Sequence, residues 1–123
     1  MNIAIVGASA NHEKFGNKAV RAYKENPEYT VFPINPKEAS IEGIKCYKSV
    51  GEVPSSIDIV SLYVPPTVSV GLVPEFAKKR IPVAYVNPGA ESDELVAALK
   101  GAGIEPRLIC SIRAIGRHPD QFP

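Results

Sequence analysis

The chain has 123 residues, enough to bury one core and too few for two domains. Its 14 Lys and Arg nearly cancel its 13 Asp and Glu, for a net charge of +1, so no field of one sign argues for nucleic acid or an anionic membrane surface. No apolar stretch approaches the roughly 20 residues that span a bilayer, and the chain enters a strand at once without a basic leader; the expectation is a soluble, cytoplasmic protein.

The apolar run Ile3-Ala4-Ile5-Val6 breaks at Gly7-Ala8-Ser9. β-branched residues without polar alternation fit a strand covered on both faces, and hence a parallel sheet. Gly7 lets backbone approach a ligand, and the N–H groups at the start of the following helix form an anion site. Asn11-His12-Glu13-Lys14-Phe15 is polar and too long for a tight turn, so it reads as a loop able to cover a ligand. Gly16 opens a helix over about 17–25, with Ala19, Val20 and Tyr23 on one face and Lys18, Arg21, Lys24 and Glu25 toward water. Residues 29–34 make the second strand, stopped by Pro33 and then Asn35-Pro36-Lys37.

Polar residues, two glycines and Pro54 break residues 38–56 into a connector, with a short extended piece at 44–47 and a helical turn near 50–53. A third strand over 57–64 ends at Pro65-Pro66, which forbid further pairing. Val68, Leu72, Phe76 and Ala77 recur at helical spacing to Arg80. Pro74 implies either a kink or a one-turn piece before a second start. The fourth strand, 82–86, closes at Asn87-Pro88-Gly89. Ser92 caps a third helix with Asp93 and Glu94 in its first turn and Leu95, Val96 and Leu99 on its buried face. Residues 106–110 form a fifth strand. The single domain is read as residues 1–116, followed by a loose tail at 117–123.

Strands alternating with helices predict a doubly wound α/β fold: a five-stranded parallel sheet in three α/β/α layers, of order 3-2-1-4-5, with a ligand crevice between the first and fourth strand ends. An uncovered edge at the fifth or third strand would support a homodimer.

Dinucleotide enzymes of the Rossmann type carry GxGxxG after the first strand and an acidic residue at the end of the second. Here Gly7 and Gly16 are too far apart, and the second strand ends in a lysine. Lys37 suits a phosphorylated ribose, for a charge-assisted contact worth ~1.5–3 kcal/mol. His12 and His118 are isolated, no serine lies in a GxSxG elbow, and Cys46 and Cys110 read as core thiols with neither zinc nor disulfide spacing. No catalytic constellation and no metal site emerge.

Four segments, Val6-Gly7-Ala8-Ser9 through Lys14-Phe15-Gly16, Asn35-Pro36-Lys37, Ser61-Leu62-Tyr63-Val64-Pro65-Pro66 and Cys110-Ser111-Ile112, resemble the CoA-binding superfamily. They are similar to its small stand-alone proteins and to the N-terminal domain of the succinyl-CoA synthetase α subunit. The resemblance implies a Rossmann-like domain with coenzyme A across the carboxyl edge of the sheet. It implies Gly7, Ala8, Ser9, Lys14, Phe15, Gly16 and Asn17 at the pyrophosphate and Asn35, Pro36 and Lys37 at the 3′-phosphate end of the adenosine. Val64, Pro65 and Pro66 would lie on the adenine or ribose, and Asn87, Pro88, Gly89 and Ala90 along the pantetheine, where the synthetase has a different polar turn. The synthetase's second domain, with its phosphorylated histidine, has no counterpart in these residues. The expected function is therefore non-catalytic binding of CoA or acyl-CoA, as sensor, carrier or regulatory module. The alternatives are an enzyme using an NADP-type nucleotide and a detached CoA-binding subunit of an acyl-CoA synthetase.

Overall fold

The first strand, β1 (Asn2–Val6), lies inside a five-stranded sheet and pairs in parallel with a strand on each side. This computed structural model describes residues 1–123. In chain order the elements are β1, α1 (Phe15–Lys24), β2 (Thr30–Ile34), β3 (Ser40–Ile41), β4 (Ile44–Lys45), a 3-10 turn (Val50–Glu52), β5 (Ile59–Leu62), α2 (Pro66–Lys78), β6 (Val83–Val86), α3 (Asp93–Gly101), β7 (Glu105–Arg107), α4 (Ser111–Ala114) and a last 3-10 turn (Pro119–Gln121). β3 and β4 form a small antiparallel hairpin apart from the main sheet.

Side chains along a strand alternate between faces. Ala4 and Val6 of β1, with Val60 and Leu62 of β5, pack under α2 and α3 through Val73, Phe76, Leu95 and Leu99. Ile3 and Ile5, with Ile59 and Tyr85, pack under α1 and α4 through Ala19, Val20, Tyr23 and Ile112. Ile3 and Ile5 are fully buried, each contributing about 1.5–3 kcal/mol. The three-layer α/β class and the all-parallel five-stranded sheet are as expected.

The strand order is not. The sheet runs β2-β1-β5-β6-β7, which in the count of predicted strands is 2-1-3-4-5 rather than 3-2-1-4-5. Pro33 supplies the reason. Its carbonyl accepts the Tyr47 N–H at 2.9 Å on the side away from β1, and its nitrogen, which has no hydrogen, faces the same way. A third strand beyond β2 would need that missing donor, so β2 is an edge strand. The chain reverses direction across the sheet between β1 and β5, and the crevice expected between the first and fourth strands opens there instead.

α2 runs without a break from Pro66, with Pro65 as its N-cap and Pro74 inside it. Pro74 is exposed, so the carbonyl deprived of a donor lies on a side that water can reach. The tail expected to be loose is packed: Phe122 is 4% exposed. Arg21 reaches it, donating to the carbonyls of Phe122 at 2.9 Å and Pro123 at 3.0 Å. No helix is long and apolar enough to cross a membrane.

Candidate functional site

The carboxyl ends of β1, β2, β5 and β6 open into one cleft of about 1050 Å³. Every residue assigned to a ligand from the sequence lines it except Asn17. Asn17 is fully buried behind the loop, donating to the Ser9 carbonyl at 2.9 Å and to Glu42 at 3.1 Å. Two positions into the helix, its side chain rotates away from the cleft, so it shapes the loop and does not line the pocket.

Gly7 has φ +90, and a Cβ there would lie 3.0 Å from the Tyr63 carbonyl carbon and from Val64 Cγ1. A Cβ on Gly16 would sit 2.1 Å from the Gly7 carbonyl oxygen. Despite the spacing that GxGxxG lacks, these two glycines bring strand end, helix start and the β5 turn into direct backbone contact. The helix termini differ in a way that suits an anion. α1 and α2 begin at Lys14 and Pro65 with no side-chain cap and no acidic residue in the first turn. α3 is capped by Ser92, which accepts the Leu95 N–H, and carries Asp93 and Glu94. The start of α1 thus keeps the Phe15 and Gly16 N–H groups free for a ligand, whereas α2, opening on Pro65-Pro66, offers chiefly the positive end of its dipole.

Asn35 cross-links two rims. Its amide donates to the Ala8 carbonyl at 2.9 Å, and its oxygen accepts the Lys37 N–H at 2.8 Å. Lys14, Lys37 and Lys48 all line the cleft, and no protein acceptor holds the ammonium group of any of them. At the far end Asn87, almost wholly buried, donates to Ser61 Oγ at 3.0 Å and the Leu62 carbonyl at 2.9 Å, and accepts the Ser111 N–H at 2.8 Å. Burial pushes the Tyr63 hydroxyl pKa above the ordinary phenol value, and burial likewise pushes the Cys46 thiol up. Cys46 lies in the core beneath Asn35.

Neither histidine lines the cleft. His12 meets Glu42 at 2.9 Å behind the loop, and His118 accepts the Asp120 N–H in the C-terminal turn. The sequence reading missed Lys48, Ser49 and Val50, and on α2 Val68, Leu72, Glu75 and Phe76, all of which line the opposite wall. Tyr47 bridges to Ile34 in parallel fashion, which carries Lys48 to the same sheet end as Lys37. Glu75 accepts the Gly51 N–H at 2.9 Å and ties this segment to α2.

Comparison with known proteins shows the family and the fold. The family described as CoA binding domain matches residues 1–111. The acetate–CoA ligase (ADP-forming) II subunit alpha of Pyrococcus furiosus is 38% identical over 63 residues, 51% of this chain and 14% of that protein. The chain therefore spans only a small part of that ligase. A solved structure of a conserved hypothetical protein from Pyrococcus furiosus superposes with a TM-score of 0.84 at 36% identity, over 92% of this chain and 97% of that one. The dinucleotide-forming acetyl-coenzyme A synthetase 1 of Ca. Korarchaeum cryptofilum, solved with phosphate and ADP, gives a TM-score of 0.75 at 28% identity, over 85% of this chain and 25% of that one. From its first strand to the start of α4, this chain belongs to the CoA binding domain family.

Proposed function

We propose that the protein is a non-catalytic module that binds CoA or an acyl-CoA along the carboxyl rim of its sheet. The observation that carries this reading is that one cleft gathers the strand ends of a CoA binding domain chain and joins two uncapped helix starts to three unpaired lysines. In it, the loop of Gly7, Ala8 and Ser9 with the start of α1 receives the pyrophosphate. Lys37 meets the 3′-phosphate, Val64, Pro65 and Pro66 form a stiff apolar wall for the adenosine, and residues 87–90 flank the pantetheine. Rigid walls of this kind lose little entropy on binding. The titratable side chains around the cleft are Glu13, Lys14, Lys37, Lys48, Tyr63 and Glu75. They contain no nucleophile paired with a base, which favours binding over catalysis.

The similarity to ADP-forming ligases supports a second reading, in which this module supplies the CoA-binding part of a larger acyl-CoA synthetase. One experiment addresses both. Purified protein is titrated with CoA, acetyl-CoA, NADP and NAD while its thermal unfolding is followed. CoA at about a hundredfold its Kd should add roughly 2.7 kcal/mol. A shift with NADP and none with CoA overturns the proposal. Formation of acetyl-CoA from acetate, ATP and CoA by the protein alone overturns its non-catalytic part.

A further inference from the structure

The loop over the cleft is held in place by atoms that never touch the cleft. Asn17 Nδ2 meets Ser9 O and Glu42 Oε2, and the same carboxylate oxygen lies 2.9 Å from His12 Nε2. Arg21 donates to Asn17 Oδ1 at 2.7 Å and to the His12 carbonyl at 3.1 Å. Glu42 itself is anchored from α1, because Lys24 Nζ donates to its carbonyl at 2.7 Å.

The residue at the centre of this arrangement has an unusual backbone. Glu42 has φ +52 and the following Gly43 has φ +75, the consecutive left-handed pair that a two-residue turn between β3 and β4 requires. Asparagine or glycine adopts that conformation more readily than glutamate. Two strands of two residues each give the hairpin little sheet of its own. What it presents is a carboxylate, directed at the ligand loop from outside.

We infer that the β3–β4 hairpin clamps residues 9–14 and that Glu42 is its positioning residue. This rests on the proposed binding of CoA: fixing the loop holds the Gly7–Ser9 backbone and the start of α1 in the one arrangement that grips a pyrophosphate. Glu42 contacts no ligand.

The test uses the full chain and two substitutions. Glu42→Asn suits the turn backbone but falls one methylene short of His12 and Asn17; Glu42→Gln keeps an acceptor at full reach. Amide hydrogen exchange across residues 9–14 should speed up roughly tenfold in Glu42→Asn, the scale of one charge-assisted hydrogen bond. The Kd for CoA should rise by a similar factor without a fall in melting temperature, and Glu42→Gln should recover most of both. Unchanged exchange and unchanged affinity in Glu42→Asn overturn the clamp. If Glu42→Asn melts early, His12→Ala, which leaves the turn intact, decides: faster exchange over 9–14 supports the clamp and unaltered exchange overturns it. If the parent protein binds no CoA, the functional proposal falls alone, because exchange in the loop still decides whether Glu42 holds it.

Discussion

Asn87 and Ser111 share a buried hydrogen bond of 2.8 Å that joins the cleft rim after β6 to the first residue of α4. The same asparagine reaches β5 through Ser61 and Leu62. Three elements thus depend on one side chain. Asn87→Ala leaves a buried N–H without a partner, at a cost of about 1–3 kcal/mol, and the melting temperature should fall by several degrees. A thermal melt within a degree of the parent contradicts this account.

Gly16 admits no side chain where it stands. The nearest atom to an added Cβ is the backbone oxygen of Gly7, which cannot swing aside as a flexible side chain would. Gly16→Ala should cost about 1–3 kcal/mol of stability and weaken CoA by more than tenfold as the helix start moves off the strand end. Calorimetric titration together with a thermal melt measures both.

Lys37 should discriminate between ligands. If its ammonium meets the 3′-phosphate, Lys37→Ala weakens CoA by about 10–100-fold, equivalent to ~1.5–3 kcal/mol, and leaves dephospho-CoA unchanged. Equal losses for the two ligands contradict the placement.

Stability should fall at both ends of the pH range. Burial raises the hydroxyl pKa of Tyr23 and of Tyr63. In the unfolded chain each ionises near about pH 10. Their contribution is therefore complete below that pH and declines as pH rises above it, by up to about 1.4 kcal/mol per unit for each hydroxyl. Tyr23→Phe should flatten the alkaline slope of melting temperature against pH. On the acid side the Asn17 amide, with His12 adding to it, holds the Glu42 carboxyl below the usual carboxylate range. Its contribution is present above about pH 4.3 and is lost as pH falls through the lowered folded value. Protection factors at residues 9–14, taken relative to the intrinsic exchange rate at each pH, should therefore fall in acid, and less so in Glu42→Gln.

The strand ends were legible because glycines and prolines punctuate them. Gly7, Pro65-Pro66 and Asn87-Pro88-Gly89 all stand where the cleft is. The strand order was misjudged although Pro33 carried the signal, since a proline in mid-strand marks an edge. Residues 38–56 concealed Lys48, Ser49 and Val50 of the opposite wall because two-residue strands and a single 3-10 turn are too short to show a period. Asn17 was misplaced for want of helical phase, which turns it inward while its neighbour Gly16 stays on the rim. The tail deceived because a single aromatic, Phe122, does the anchoring, seated against the guanidinium groups of Arg21 and Arg117.

Both margins of the sheet carry a proline, Pro33 in β2 and Pro106 in β7. Each turns its hydrogen-free nitrogen outward, because the flanking residues make the bonds to the inner neighbour: Ile34 accepts from Gly7, and Glu105 donates to Pro82. An incoming strand from another molecule meets a gap in the ladder at β7, and at β2 it meets Tyr47, whose N–H already donates to Pro33 and whose carbonyl accepts from Asn35. Both borders of the sheet are therefore blunted against strand addition by the backbone itself.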